Sequence, residues 1–138
     1  MSGGYRFELE FGVRDYECDL QGIVNNAVYQ NYLEHTRHEY LKNLELDFAH
    51  LHQQGCDLVV SRCEIDYLAP LRSGDRFVVR LNVERESRLR FAFVQTICKY
   101  PDETEVLRAR IIGTGIVDGR PGLPQEVLAA LDIADYKH

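Results

Sequence analysis

The chain has 138 residues, of which 45% are hydrophobic and 28% charged, and its formal net charge is -6. These values predict one soluble globular domain, residues 1–138, that can bury a core without disulfides or metals. The negative charge argues against general nucleic-acid binding, which usually needs a basic surface, but it leaves room for a small anionic ligand. No apolar run approaches the roughly 20 residues of a membrane span, and the first residues lack a signal-peptide pattern. We therefore expect no membrane insertion and a cytoplasmic location.

The first half of the chain predicts one strand and one long helix. Alternating apolar residues indicate a half-buried strand over residues 5–13. A loop then leads to a helix that begins at the pair Asn25 and Asn26 and extends to about residue 44. Apolar residues recur along this helix so broadly that we expect other elements to cover most of it. A short helical segment follows over residues 48–54 and ends at Gly55.

The second half predicts four long strands and a short helix. The strands cover residues 57–71, 76–85, 89–100 and 104–118, and the helix runs from residue 125 to about 132. On the inner face of the last strand, Gly113 and Gly115 interrupt the apolar residues. Glycine weakens a strand unless something approaches its backbone closely, and we expect the long helix to do so.

This order of elements predicts an α+β architecture. Strands joined by tight turns pair antiparallel, so we expect a five-stranded antiparallel sheet that wraps around the long helix. One helix layer on one sheet leaves an edge strand exposed. A second copy would cover it, which predicts at least a dimer.

The loop before the long helix carries the candidate chemistry. Asp19 precedes a turn at Gly22, and the helix begins three to four residues later at Asn25 or Asn26. The first turn of a helix has unpaired N–H groups and a partial positive charge, so it can stabilise an oxygen that becomes negative during a reaction. A carboxylate close to such a helix start is suited to the hydrolysis of an activated acyl group.

This loop resembles that of acyl-CoA thioesterases of the 4-hydroxybenzoyl-CoA thioesterase type, which have the hotdog fold. The similar residues are 16–24, with the sequence YECDLQGIV, followed by Tyr29, Tyr32 and Leu33. The resemblance implies that Asp19 is the catalytic carboxylate, as nucleophile or as general base on water. It implies that the backbone amide of Asn26 binds the thioester oxygen and that Gly22 lets the loop turn. Well-known members have a tyrosine where this chain has Asn26, a change that keeps the backbone donor.

The resemblance also implies the binding residues and the assembly. We expect Tyr29, Tyr32 and Leu33 to contribute to the acyl pocket, together with the strand over residues 57–71 of a second subunit. Arg88 and Arg90 lie at a strand connection that contributes to the coenzyme A nucleotide site in relatives. The expected assembly is a homodimer or a homotetramer made of two dimers. No cofactor is expected, since coenzyme A is part of the substrate.

Several residues have a simpler interpretation that the sequence leaves open. Asp19 could be a turn or capping residue. Arg88 and Arg90 could pair with Glu84 and Glu86 in a salt-bridged hairpin. For the remaining candidates the simpler interpretation is preferred: Asp15 and Glu17 point to solvent, Cys18 points away from the Asp19 side, and His35 and His38 bind no metal because a third ligand is missing. The four cysteines, without a C-x-x-C pair, are expected to be reduced thiols.

The sequence therefore predicts an acyl-CoA thioester hydrolase, with three alternatives. Hydrolysis of acyl-carrier-protein thioesters is the nearest, although a basic surface for that acidic partner is not favoured by the net charge. A hotdog dehydratase would need a histidine in the site, and the Asp19 loop has none. A non-catalytic acyl-CoA-binding protein is the third. The sequence does not define the acyl group.

Overall fold

The structure is a computed structural model that describes residues 4–44 and 46–133. The other residues of the predicted domain 1–138, including most of the N-terminal run used to assess a signal peptide, lie outside the described residues. The elements in chain order are β1 (Phe7–Gly12), a 3₁₀ turn (Asp15–Glu17), α1 (Asn26–Lys42), α2 (Phe48–Gln53), β2 (Cys56–Tyr67), β3 (Arg76–Arg85), β4 (Arg90–Lys99), β5 (Thr104–Val117), β6 (Arg120–Pro121) and α3 (Gln125–Leu131).

The strands form one antiparallel sheet in the order β1-β3-β4-β5-β2, which curls around α1. The predicted α+β architecture is thereby confirmed, with one addition. The two-residue strand β6 pairs with the end of β5 and makes the sheet six-stranded rather than five-stranded. Two residues are too few to give a periodic pattern in a sequence.

Helix α1 packs one face against the concave side of the sheet. Its buried residues are Tyr29, Tyr32, Leu33, Thr36 and Tyr40. The ring of Tyr32 lies 4.8 Å from that of Phe77 on β3 and 5.3 Å from that of Phe11 on β1, measured between centroids. These contacts place the helix start and the loop before it at one end of the sheet, where β2 ends.

Two details of the sheet differ from the sequence prediction. Strand β2 ends at Tyr67 instead of residue 71, because the chain leaves the ladder before Pro70, which has no N–H to donate. The helix is also not what approaches the glycines of β5. The Phe91 ring and the Val59 carbonyl leave no room for a side chain at Gly113, and the Gly122 carbonyl leaves none at Gly115.

Strand β2 is an edge strand whose outer positions remain uncovered in the single chain. Val59, Val60, Tyr67 and Leu68 are exposed apolar side chains on or just after this strand. Among residues 4–44 and 46–133, no helix is both long enough and apolar enough to cross a bilayer.

Candidate active site

The loop before α1 is a closed hairpin. Its two arms meet where the Asn25 N–H donates to the Glu17 carbonyl at 3.1 Å, and Cys18 pairs with Val24 in an antiparallel bridge. A second contact fixes the hairpin to the body of the protein, since the Val24 N–H donates to the Leu71 carbonyl at 2.8 Å. The hairpin therefore brings the segment that carries Asp19 to the same end of the molecule as the first turn of α1.

Asp19 occupies the tip of this hairpin and Gly22 makes its turn. Gly22 has φ +80°, a conformation that favours glycine, and its N–H donates to the Asp19 carbonyl at 3.0 Å. The Asp19 carboxylate accepts hydrogen bonds at Oδ1 from the N–H groups of Gln21, at 2.8 Å, and Ile23, at 3.4 Å. Its other oxygen, Oδ2, accepts none from the described residues. Asp19 thus has the turn-stabilising role that the sequence left open, and it is an exposed residue.

The start of α1 is capped by Asn25 and leaves one amide unused. The Asn25 side chain accepts from the Ala27 N–H at 3.1 Å, and its carbonyl accepts from the Val28 and Tyr29 N–H groups. Asn26 is the first helical residue, and its N–H has no acceptor among residues 4–44 and 46–133. The amide assigned to the oxyanion is therefore available to a ligand.

Glu17 has a role that the sequence analysis missed. Rather than pointing to solvent, it is half-buried, and its Oε1 accepts from the Arg14 N–H and from the Tyr32 hydroxyl, both at 2.8 Å. Burial, and then this hydrogen bond, raise the pKa of Tyr32, so its hydroxyl stays a donor. The spacing of Arg14 and Glu17 across one short turn is the available sequence signal. Asp15 is exposed as expected and accepts from the Ser73 hydroxyl.

The three residues predicted for the acyl pocket are all buried, and they differ in what they contact. Tyr29 and Tyr32 are core residues whose hydroxyl groups already have partners, Tyr29 accepting from the buried Leu71 N–H at 2.9 Å. Leu33 is also buried and borders a cavity of about 140 Å³ between α1 and β2, while Tyr32 borders another, of about 500 Å³, beside β1. Cys63 and Ile65 of β2 line the opposite side of the smaller cavity. Strand β2 corresponds to the strand that we expected a second subunit to contribute to the acyl pocket. Here α1 and β2 of the same chain line the cavity.

Arg88 and Arg90 border a further cavity, of about 360 Å³, at the connection between β3 and β4. The alternative in which they pair with Glu84 and Glu86 is not what the structure contains, because both carboxylates bind Arg110 instead. Within the described ranges, neither Arg88 nor Arg90 makes an ion pair. Both are exposed residues.

The other candidates give no competing site. His35 and His38 border a cavity of about 500 Å³ near the C-terminal half of α1. The described part of the chain holds no group of three or more side chains placed to bind a metal ion. Cys18 packs against the core while Asp19 is exposed, so the two side chains diverge as predicted.

Residues 13–131, most of the chain, match the thioesterase-like superfamily. The chain belongs to this superfamily. This match confirms the family that the loop predicted, and the hotdog fold is confirmed with it. The enzyme class of the family is thioester hydrolase.

Two relatives differ in the share of their own length that aligns with this chain. It is 42% identical over 114 residues, 83% of the chain, to the chloroplastic acyl-acyl carrier protein thioesterase ATL2 of Arabidopsis thaliana, but these residues cover 59% of that protein. The chain spans little more than half the length of the two plant relatives that it matches. A putative esterase of Aquifex aeolicus is 31% identical over 128 residues, which are 92% of this chain and 95% of that protein.

A solved structure adds a ligand to the comparison. A thioesterase from Thermus thermophilus, crystallised with coenzyme A and zinc, superposes with a TM-score of 0.78 and 25% identity. The match covers 93% of this chain and 98% of that one.

Proposed function

We propose that this chain hydrolyses an acyl thioester of coenzyme A, releasing a carboxylic acid and the free thiol. The unused Asn26 amide beside the Asp19 hairpin carries the proposal. A thioester is already an activated acyl donor, so its hydrolysis needs a nucleophile or base and stabilisation of the oxyanion. Asp19 would supply the first and the Asn26 N–H the second.

In this mechanism the free Oδ2 of Asp19 either attacks the thioester carbonyl carbon or removes a proton from the attacking water. The carbonyl oxygen becomes negative as the tetrahedral intermediate forms, and the Asn26 N–H donates to it at the positive end of α1. The C–S bond then breaks. If Asp19 is the general base, it returns the proton taken from water to the sulfur, and the carboxylic acid and the free thiol are released. If Asp19 is the nucleophile, the thiolate takes a proton from solvent, and water then hydrolyses the mixed anhydride formed with Asp19, which releases the acid and restores the carboxylate. The hydrogen bonds from Gln21 and Ile23 hold Oδ1 and thereby orient the carboxylate.

The carrier of the acyl group is proposed from the unpaired arginines. Arg88 and Arg90 offer guanidinium groups to the phosphates of coenzyme A, for which guanidinium geometry is well suited. The coenzyme A bound to the Thermus thermophilus relative supports this choice. The plant relatives, which act on acyl-acyl carrier protein, favour a second candidate: the same phosphate contacts could serve the phosphopantetheine of a carrier protein.

We also propose that the working unit is a homodimer or a dimer of dimers. The uncovered β2 edge and its exposed apolar side chains support this, since an unpaired strand edge is normally covered. A second copy on this edge would also cover the cavity between α1 and β2.

The catalytic assignment is tested by Asp19→Asn. Asparagine keeps an oxygen that can accept from Gln21 and Ile23, so the hairpin should fold unchanged. We expect turnover of a panel of acyl-CoA substrates, followed by thiol release, to fall by at least about 10²-fold, comparable to the loss of other essential groups in acyl transfer.

The matched control is Asp15→Asn, which removes a carboxylate from the same loop, where Asp15 is exposed and contacts Ser73. It should retain near-normal turnover. Equal rates for Asp19→Asn and the wild type would move catalysis to another residue. Tight acyl-CoA binding by the wild type without thiol release would identify a binding protein instead.

The carrier is tested by changing both arginines to alanine. We expect the KM for acyl-CoA to rise by about ten- to a hundredfold, the typical effect of losing hydrogen bonds to a charged group, with little change in kcat. An acyl-pantetheine, which lacks the nucleotide, should be unaffected. An equal loss on acyl-pantetheine would show that the arginines act on folding or on the acyl site, and a higher kcat/KM for acyl-acyl carrier protein than for acyl-CoA would favour the second candidate.

A further inference from the structure

Arg37, in the third turn of α1, is a charged side chain with too few partners for its burial. It is half-buried, and within residues 4–44 and 46–133 its guanidinium group makes one hydrogen bond, from Nη1 to Gln95 Oε1 at 3.1 Å. No described carboxylate forms an ion pair with it. Since a guanidinium group has five N–H donors, most of them lack an acceptor in the described chain.

Gln95 holds this guanidinium group in place. It lies on β4 with 0% of its surface exposed, and its Nε2 donates to the Leu33 carbonyl at 3.1 Å. One amide group therefore connects the Leu33 backbone to the Arg37 side chain. Burial also lowers the pKa of Arg37, because the charged form loses hydration. A charge held in such a position is stabilised when a ligand supplies an oxygen.

The Arg37 side chain lies at the far end of a stripe that begins at the proposed oxyanion site. Asn26, Gln30, Leu33 and Arg37 are spaced by four, three and four residues, so they share one face of α1. The helix rises about 16 Å between the first and the last of them.

Strand β2 forms the other wall of the cavity that Gln30, Leu33 and Arg37 border. The Tyr67 ring lies 5.7 Å from the Tyr29 ring, which places the end of β2 beside the first turn of α1. Ile65 and Cys63 follow at alternate positions in the direction of Arg37, and both line the cavity of about 140 Å³ that Arg37 borders. An acyl chain whose thioester lies at Asn26 would enter this cavity and end near the guanidinium group.

Glu34 decides which polar group fits at that end. It is exposed and borders the same cavity, without forming an ion pair with Arg37. A hydroxyl group could accept from Arg37 and donate to Glu34 at the same time. A carboxylate would be repelled by Glu34, and a methyl group would leave the guanidinium group without an acceptor.

We propose that Arg37, positioned by Gln95, recognises a terminal hydroxyl group on the acyl chain, so that the substrate class is ω-hydroxyacyl thioesters. The inference rests on the proposed function, because it needs the thioester to lie at Asn26.

The test compares kcat/KM for ω-hydroxyacyl-CoA and methyl-ended acyl-CoA of the same length, from eight to twelve carbons. The wild type should prefer the hydroxyl-ended substrate, and Arg37→Met should lower that preference by about tenfold or more, the usual effect of removing a hydrogen bond to a charged group. Arg37→Lys, which keeps the charge but loses the planar fork, should give an intermediate ratio and serves if Arg37→Met does not fold.

The matched control is Arg108→Met, which changes an exposed arginine of β5 that pairs with Glu105. It should leave the ratio unchanged. Equal rates on both substrates in the wild type, or a ratio that Arg37→Met does not alter, would overturn this inference while leaving thioester hydrolysis intact. The second result is also the one expected if a carboxylate of a second copy occupies the place beside Arg37. No hydrolysis of any acyl-CoA would instead contradict the proposed function.

Discussion

Helix α1 has two faces that differ in how their polar groups are used. On the face against the sheet, the hydroxyl groups of Tyr29, Tyr32 and Thr36 all have partners within the protein. The Asn26 amide, at the N-terminus of the helix, and most of the Arg37 guanidinium group, on the face that carries Gln30, lack acceptors in the described chain. The tyrosines and Thr36 therefore stabilise the fold through their hydroxyl groups, whereas the Asn26 amide and the Arg37 guanidinium group keep donors without acceptors in the described chain.

The strongest test of this difference is Asn26→Pro. Proline lacks the N–H proposed to bind the oxyanion, yet it is well tolerated at the first position of a helix. The preceding residue, Asn25, already has φ -68° and ψ 143°, which a following proline accepts. We expect turnover to fall by about 10²–10³-fold, with thermal unfolding unchanged or slightly raised in temperature.

Asn26→Ala is the control, because it removes the side chain and keeps the backbone donor. Its turnover should stay close to that of the wild type. Loss of activity in both variants would identify the Asn26 side chain as the donor, and full activity in the proline variant would exclude the backbone amide.

On the other face, Tyr29→Phe should affect stability rather than chemistry. Removing the hydroxyl group leaves the buried Leu71 N–H without an acceptor, so we expect the free energy of unfolding to fall by about 1–3 kcal/mol. Urea denaturation measures this loss, and kcat of the folded enzyme should change little. Tyr16→Phe, at a tyrosine that is 74% exposed, should stay within about 0.5 kcal/mol of the wild type. A large loss of kcat in Tyr29→Phe would place this tyrosine in the acyl site after all.

Tyr32→Phe should have the smallest effect at neutral pH, a loss of about 1 kcal/mol for one hydrogen bond. Its signature is the pH dependence. Because the pKa of Tyr32 is raised in the folded protein, its contribution is complete below the unfolded pKa of about 10 and declines as the pH rises above it. The free energy of unfolding of the variant should therefore fall less steeply above about pH 10 than that of the wild type. Parallel curves would show that Tyr32 does not titrate with unfolding.

Local patterns accounted for the elements and the loop, and they failed where partners lie far apart in the chain. Period-two alternation predicted β3 with its observed bounds, and the Asn25 cap was visible because capping depends on adjacent residues. The role of Glu17 was missed because its partner, Tyr32, is 15 residues away. Arg37 was missed for the same reason, since Gln95 lies 58 residues further along the chain. The glycines of β5 were noticed, but the groups that approach them depend on how Phe91 and Gly122 fold back.

The Glu17 carboxylate joins the 3₁₀ turn to the middle of α1. This contact has a consequence for substrate binding in the proposed function. Together with the Val24 backbone hydrogen bond to Leu71, it fixes the hairpin to the body of the protein at two points, and the Asn25 hydrogen bond to Glu17 closes the hairpin itself. The loop therefore loses its conformational entropy when the chain folds and has little left to lose when an acyl group arrives. In the proposed function, binding energy from the distant end of the carrier would then act on the transition state instead of ordering the protein.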